Sequence, residues 1–93
     1  MFKVNEYFDG KVKSLAFDNS SGNYTVGVMA PGDYEFGTST VEVMTVVSGS
    51  LTIQFPGKTD WETYEPGDSF TVDKDVKFKV KIKEASAYLC LYK

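Results

Sequence analysis

Every proline in this chain is followed by glycine: Pro31-Gly32, Pro56-Gly57 and Pro66-Gly67. Such pairs favour tight turns, because proline presets φ and glycine tolerates positive φ. The stretch Asn19-Ser20-Ser21-Gly22-Asn23 adds another loop signal. Between these marks only short elements fit. They are runs rich in Val, Thr, Phe and Tyr at 11–17, 24–29, 34–38, 42–48, 51–55, 61–64, 69–72, 76–82 and 87–92. Runs of this length and β-branched content predict strands, and nine of them at regular spacing predict an all-β sandwich or barrel. With 93 residues, a single domain over 1–93 is expected.

Alternation assigns faces. In Val76-Lys77-Phe78-Lys79-Val80-Lys81-Ile82-Lys83, four lysines oppose four apolar residues. The apolar set must point inward, so the lysines read as a solvated outer face that discourages edge pairing, or else as a patch able to bind anions. Near the N-terminus, Lys11, Lys13, Leu15 and Phe17 share a parity and suggest a strand running from a polar rim into the core. Ser48-Gly49-Ser50 reads as a hairpin turn, or else as a set of backbone N–H groups able to meet an anion. The run from Glu42 to Val47 places Glu42, Met44 and Val46 on one face. A carboxylate inside an apolar strand needs a reason, and burial without a cationic partner would raise its pKa.

Composition narrows the chemistry. The chain has no histidine, and its ten basic residues are all lysine. Imidazole acid–base catalysis and imidazole metal ligation are therefore excluded. Net charge is −3, which argues against nucleic acid as a partner. The single cysteine, Cys90, fits a reducing compartment and reads as a structural thiol. No apolar run approaches bilayer-spanning length, and the first residues lack a signal-peptide core, so a cytoplasmic location without membrane contact is expected. A small open-ended barrel leaves edges and apolar surface that a second copy would cover, so a homodimer is expected.

The turn–strand pattern resembles a small single-domain cupin, a β-barrel of the jelly-roll type. Gly32, Glu42 and Gly49 stand at the glycine and glutamate places of the first cupin motif, and Gly67 opens the second. Thr38, Thr40 and Phe78 stand where that motif pattern carries histidines. Thr40 and Glu42 are also closer together than the pattern has them. The resemblance therefore implies a cupin site without its imidazoles and without a metal. Over nearly the whole chain, NEYFDGKVKS, TVGVM, GDYEF, EVMTVVSGSLTI and SAYLCLY are similar to the pyrimidine/purine nucleoside phosphorylase family.

That resemblance implies phosphate-dependent cleavage of purine and pyrimidine nucleosides to free base and pentose 1-phosphate, in nucleotide salvage. It is a pentosyl transfer with inorganic phosphate as co-substrate and no cofactor. Glu42 is the candidate catalytic residue, accepting hydrogen bonds from ribose hydroxyls and stabilising an oxocarbenium-like sugar. Met44 would pack on the sugar, and Tyr34, Phe36 or Phe78 would stack on the base. Thr38 and Thr40 offer hydroxyls, and Tyr88 or Tyr92 would donate to the leaving base. Lys11 and Lys13 are the candidate phosphate ligands. The alternative is a non-catalytic small-molecule-binding cupin with the same barrel.

Overall fold

A computed structural model describes residues 2–93. Ten strands form two antiparallel sheets. They are β1 (Lys3–Tyr7), β2 (Val12–Asn19), β3 (Gly22–Met29), β4 (Gly32–Gly37) and β5 (Glu42–Ser48), followed by β6 (Leu51–Gln54), β7 (Glu62–Tyr64), β8 (Ser69–Val72), β9 (Lys77–Ile82) and β10 (Ser86–Tyr92). The larger sheet has the order β1-β2-β3-β10-β5-β8 and the smaller one β4-β9-β6-β7. The core lies between them. Val12, Met29, Met44, Val46, Val72 and Cys90 enter it from one side, and Leu51, Ile53, Phe78, Val80 and Ile82 from the other.

The sequence run at each predicted strand forms one, with ends shifted by a few residues at most. β1 is the strand the pattern did not reveal. It carries Lys3, Asn5 and Glu6, pairs with β2 alone at the sheet edge, and is exposed along most of its length. An edge strand that buries so little shows no apolar period.

One face assignment changes. In β2 the inward residues are Val12 and Ser14, while Lys13 and Leu15 point outward. The Lys11–Phe17 parity thus runs over the outside of the barrel rather than into its core. The register explains this, since Leu15 lies between Val4 and Val26, which are also outward and exposed. The lysine face of β9 is as expected: Lys77, Lys79 and Lys81 are exposed, whereas Phe78, Val80 and Ile82 are buried.

Ser48-Gly49-Ser50 is not a hairpin turn. It carries the chain from β5 in the large sheet to β6 in the small one. The buried Ser86 hydroxyl fastens this corner. It accepts the Ser50 N–H at 3.0 Å and lies 3.0 Å from Ser50 O and 2.8 Å from Glu84 O. Gly49 has φ +79°, and a Cβ there would collide with Ser86 Oγ and sit 2.8 Å from its Cβ. Gly57, at φ +74°, has open space around it. Gly57→Ala should cost only the left-handed backbone strain of roughly 1–2 kcal/mol. Gly49→Ala adds displacement of a hydrogen-bonded hydroxyl, worth about 1–3 kcal/mol more. Urea midpoints for the two variants should separate in that order.

Candidate functional site

β10 and β5 are antiparallel neighbours, with Tyr92 opposite Glu42 and Cys90 opposite Met44. Alternation turns these four side chains inward. With Tyr88 from β10, Ser14 from β2, Met29 from β3, Phe36 from β4 and Phe78 from β9, they line a cavity of about 80 Å³ between the sheets. Met29, Met44, Phe78, Tyr88 and Cys90 are buried and form its floor. Glu42, Phe36 and Tyr92 are partly exposed, and Tyr7 is 46% exposed, so these four mark the mouth.

Tyr88 owes its place to Gly27, its cross-strand partner. A Cβ on Gly27 would come within 2.7 Å of the Tyr88 ring and hydroxyl. Ser14 is the other neighbour of Gly27, so the Tyr88 ring lies across the glycine with Ser14 beyond it. Asn5 Nδ2 donates to Ser14 Oγ at 3.4 Å, linking β1 to this group. The turn after β1 continues the closure. Phe8 and Asp9 both adopt positive φ (+55° and +56°), uncommon for residues with a Cβ. The Phe8 ring then packs 5.0 Å from Tyr34 and 5.6 Å from Phe36, spanning from the large sheet to the small one.

Glu42 has no cation within ion-pair distance among the described residues, where Lys13–Glu6 is the one ion pair. Burial raises the Glu42 pKa above its ordinary value, and a hydrogen bond from the Cys90 thiol, 3.6 Å from Oε1, pulls it partly back. Burial also pushes the Cys90 thiol up to about 12, helped by the Glu42 charge beside it. Tyr88 rises to about 12, mainly through burial. Tyr92 is raised as well, first by burial, against a hydrogen bond with Thr25 Oγ1 at 3.0 Å. Near neutral pH, Cys90, Tyr88 and Tyr92 thus keep their protons and can donate hydrogen bonds. This donor set does not fit a transition metal: one carboxylate and one protonated thiol line the cavity, with no imidazole in the chain.

Of the residues singled out by sequence, the cavity brings together Glu42, Met44, Phe36, Phe78, Tyr88 and Tyr92. The others lie elsewhere. Tyr34 is buried in the wall and its hydroxyl donates to Ala30 O at 2.6 Å. The Thr38 hydroxyl is 2.6 Å from Asp73 O and accepts the Val76 N–H at 3.2 Å, tying two loops together. Thr40 Oγ1 is buried, has no hydrogen-bond partner among the described residues and does not line the cavity. Lys13 is on the outer face, 3.2 Å from Glu6. Lys11 is exposed in the β1–β2 turn. Tyr7, Ser14, Met29 and Cys90 line the cavity without having been singled out as site residues. Only the parity of Cys90 with Tyr88 and Tyr92 could have signalled one of them.

The raised pKa of Glu42 has a consequence for stability. The folded state holds this proton more tightly than the unfolded chain, so the contribution is fullest at low pH and is lost as pH rises through the folded pKa. Glu42→Gln removes that slope. The variant should have the higher thermal midpoint at neutral pH, and the difference should vanish below about pH 4, where glutamate is protonated in both states. A pH series of melting curves for the two proteins measures this directly.

A family model described as pyrimidine/purine nucleoside phosphorylase matches residues 2–92. A relative of that name from Pseudomonas putida is 59% identical over 93 residues, which is 100% of this chain and 99% of its own. A solved structure of a protein of unknown function from Vibrio parahaemolyticus is similar with a TM-score of 0.96 and 47% identity, over 100% of this chain and 99% of that one. The EutQ protein of Clostridium difficile, at 15% identity and a TM-score of 0.72, shares the fold over 87% of this chain and 67% of its own. The two sheets thus form a cupin-like β-barrel. The chain belongs to the pyrimidine/purine nucleoside phosphorylase family.

Proposed function

We propose that this protein catalyses phosphorolysis of purine and pyrimidine nucleosides, releasing free base and a pentose 1-phosphate. The observation that carries the proposal is Glu42, a partly buried carboxylate without a cation, set among three protonated hydrogen-bond donors in an aromatic-lined cavity. A group that pays for burial yet gains no ion pair is suited to a ligand that brings hydroxyls and develops positive charge. A ribose at its transition state does both.

In this reading the C1′–N bond breaks, a phosphate oxygen forms the new C1′–O bond, and the base leaves with a proton. Glu42 accepts ribose hydroxyls and stabilises the oxocarbenium-like sugar. Met44 packs on the pentose. Tyr88 or Tyr92 donates a hydrogen bond to the departing base. At about 80 Å³ the cavity is far below the roughly 300–1,000 Å³ of sites that enclose a whole ligand. The pentose enters, and the base stays at the mouth against Phe36 and Tyr7. Stacking there accepts either ring size, because every base has a π-face. No lysine among the described residues lines the cavity, so Lys11 in the turn beside Tyr7 is the proposed contact for incoming phosphate, ahead of Lys13, whose strand turns it to the outer face, where it pairs with Glu6. The donor set favours a reaction without a metal. The proposed setting is nucleotide salvage in the cytoplasm.

Incubation of pure protein with uridine or adenosine should release base only when phosphate is present, as read by chromatography. Release that ignores phosphate, or none with any nucleoside, would overturn the reading. Glu42→Ala should retain the fold by circular dichroism and lose at least about 100-fold in turnover, as expected for a lost electrostatic contact to the transition state. Full activity in that variant would remove Glu42 from the mechanism.

A further inference from the structure

Three successive residues of the β1–β2 turn take positive φ: Phe8 at +55°, Asp9 at +56° and Gly10 at +84°. Glycine adopts this region freely and aspartate tolerates it, but a bulky aromatic there is an outlier. The hydrogen bonds of the turn do not account for the aromatic. Gly10 N–H donates to Tyr7 O and Lys11 N–H to Phe8 O, both at 3.2 Å, and both are backbone bonds indifferent to the side chain. Burial does not account for it either, since Phe8 is 44% exposed.

What the conformation achieves is a direction for the ring. Phe8 leaves the large sheet and lands on the small one, tilted on Tyr34 and edge-to-face on Phe36. Tyr34 is a firm support, buried and tied through its hydroxyl to Ala30 O. Phe36 is partly exposed at the cavity mouth, and its ring also neighbours those of Tyr34 and Phe78, at 6.1 and 5.9 Å. Of these four rings, Phe8 alone comes from the β1 side. Backbone strain persists where the surroundings over-determine it, and it gathers at ligand sites.

We infer that Phe8 is a positioning residue for the base: its ring latches the β1–β2 turn to the small sheet and so holds Tyr7 and Phe36 in place at the mouth, as the surfaces on which the base rests. β1 is hydrogen-bonded to β2 alone, at the edge of the large sheet, so its Tyr7 end needs such an anchor. Phe8 does not line the cavity and acts on the base through its two neighbours, not on the sugar at Glu42. The inference rests on the place proposed for the base. Stacking there is equally strong before and during bond breaking, so weakening it raises KM and spares kcat. A merely structural role would lower the active fraction instead, which cuts apparent kcat and leaves KM unchanged.

Phe8→Ala and Phe8→Gly both remove the ring, and Phe8→Gly also relieves the backbone, while Phe8→Tyr keeps the ring. In phosphorolysis of adenosine and of uridine at saturating phosphate, the first two should raise KM by about ten-fold, near the lower end of what stacking on an aromatic contributes. Their kcat should hold, and Phe8→Tyr should restore KM. Hydrogen exchange needs no substrate: in Phe8→Ala the Gly10 and Lys11 amides should exchange roughly ten-fold faster, while β10 stays protected. Unchanged exchange at these two amides would overturn the latch. An unchanged KM in active variants, or a loss confined to kcat, would overturn the positioning of the base. A wild-type protein without phosphorolysis would overturn the reaction and the base's place with it, and exchange would still decide the latch.

Discussion

Strand β10 is hydrogen-bonded on both sides, to β3 and to β5, and most of what defines this molecule is set by those two ladders. The registers put Tyr92 opposite Glu42, Cys90 opposite Met44, and Tyr88 opposite Gly27. Slipping the β10–β5 ladder by one residue would put Glu42 and Met44 on the opposite face from Tyr92 and Cys90. The same alternation sends Leu89 outward, opposite Val26. A single strand therefore supplies the cavity with its hydrogen-bond donors and the outer surface with part of its apolar row. The register shift between Ala87 and Tyr88 lies where β10 passes the end of β5, so the ladder is regular over the stretch that builds the site.

Much of this was legible in the residues. The Pro-Gly and Asn-Ser-Gly marks delimited the strands, and the period of two placed the β9 lysines outside and Met44, Val46 and Phe78 inside. What stayed hidden was anything that depended on which strands are neighbours. Leu15 is apolar and looks like core, yet its neighbours Val4 and Val26 face outward with it. Ser48-Gly49-Ser50 has hairpin chemistry, but the strands on either side belong to different sheets. Tyr7 comes from an edge strand with almost no apolar pattern. Of the six residues that the sequence and the cavity share, Glu42 was the most conspicuous, because a charge in a valine-rich strand is anomalous before any fold is known.

The cavity exchanges one kind of chemistry for another. By the motif resemblance in the sequence, Thr38, Thr40 and Phe78 stand at places where a cupin pattern carries histidines. Thr38 ties loops together, Thr40 is half-buried with its Oγ1 out of solvent, and Phe78 forms part of the floor. These three side chains are part of the framework here, and the carboxylate faces a thiol and two phenols. Its charge is then set by burial and by one weak hydrogen bond, which makes it responsive to whatever enters.

The lone tryptophan lies apart from all this. Trp61 precedes the edge strand β7, with the Lys81 ammonium 4.2 Å above its ring. It touches neither the cavity nor the outer face of the large sheet. Its fluorescence is thus a local signal for the far edge of the small sheet. Light emitted from that indole should follow the loosening of β7 and stay blind to a ligand at Glu42, so optical binding studies on this molecule have to rely on its tyrosines.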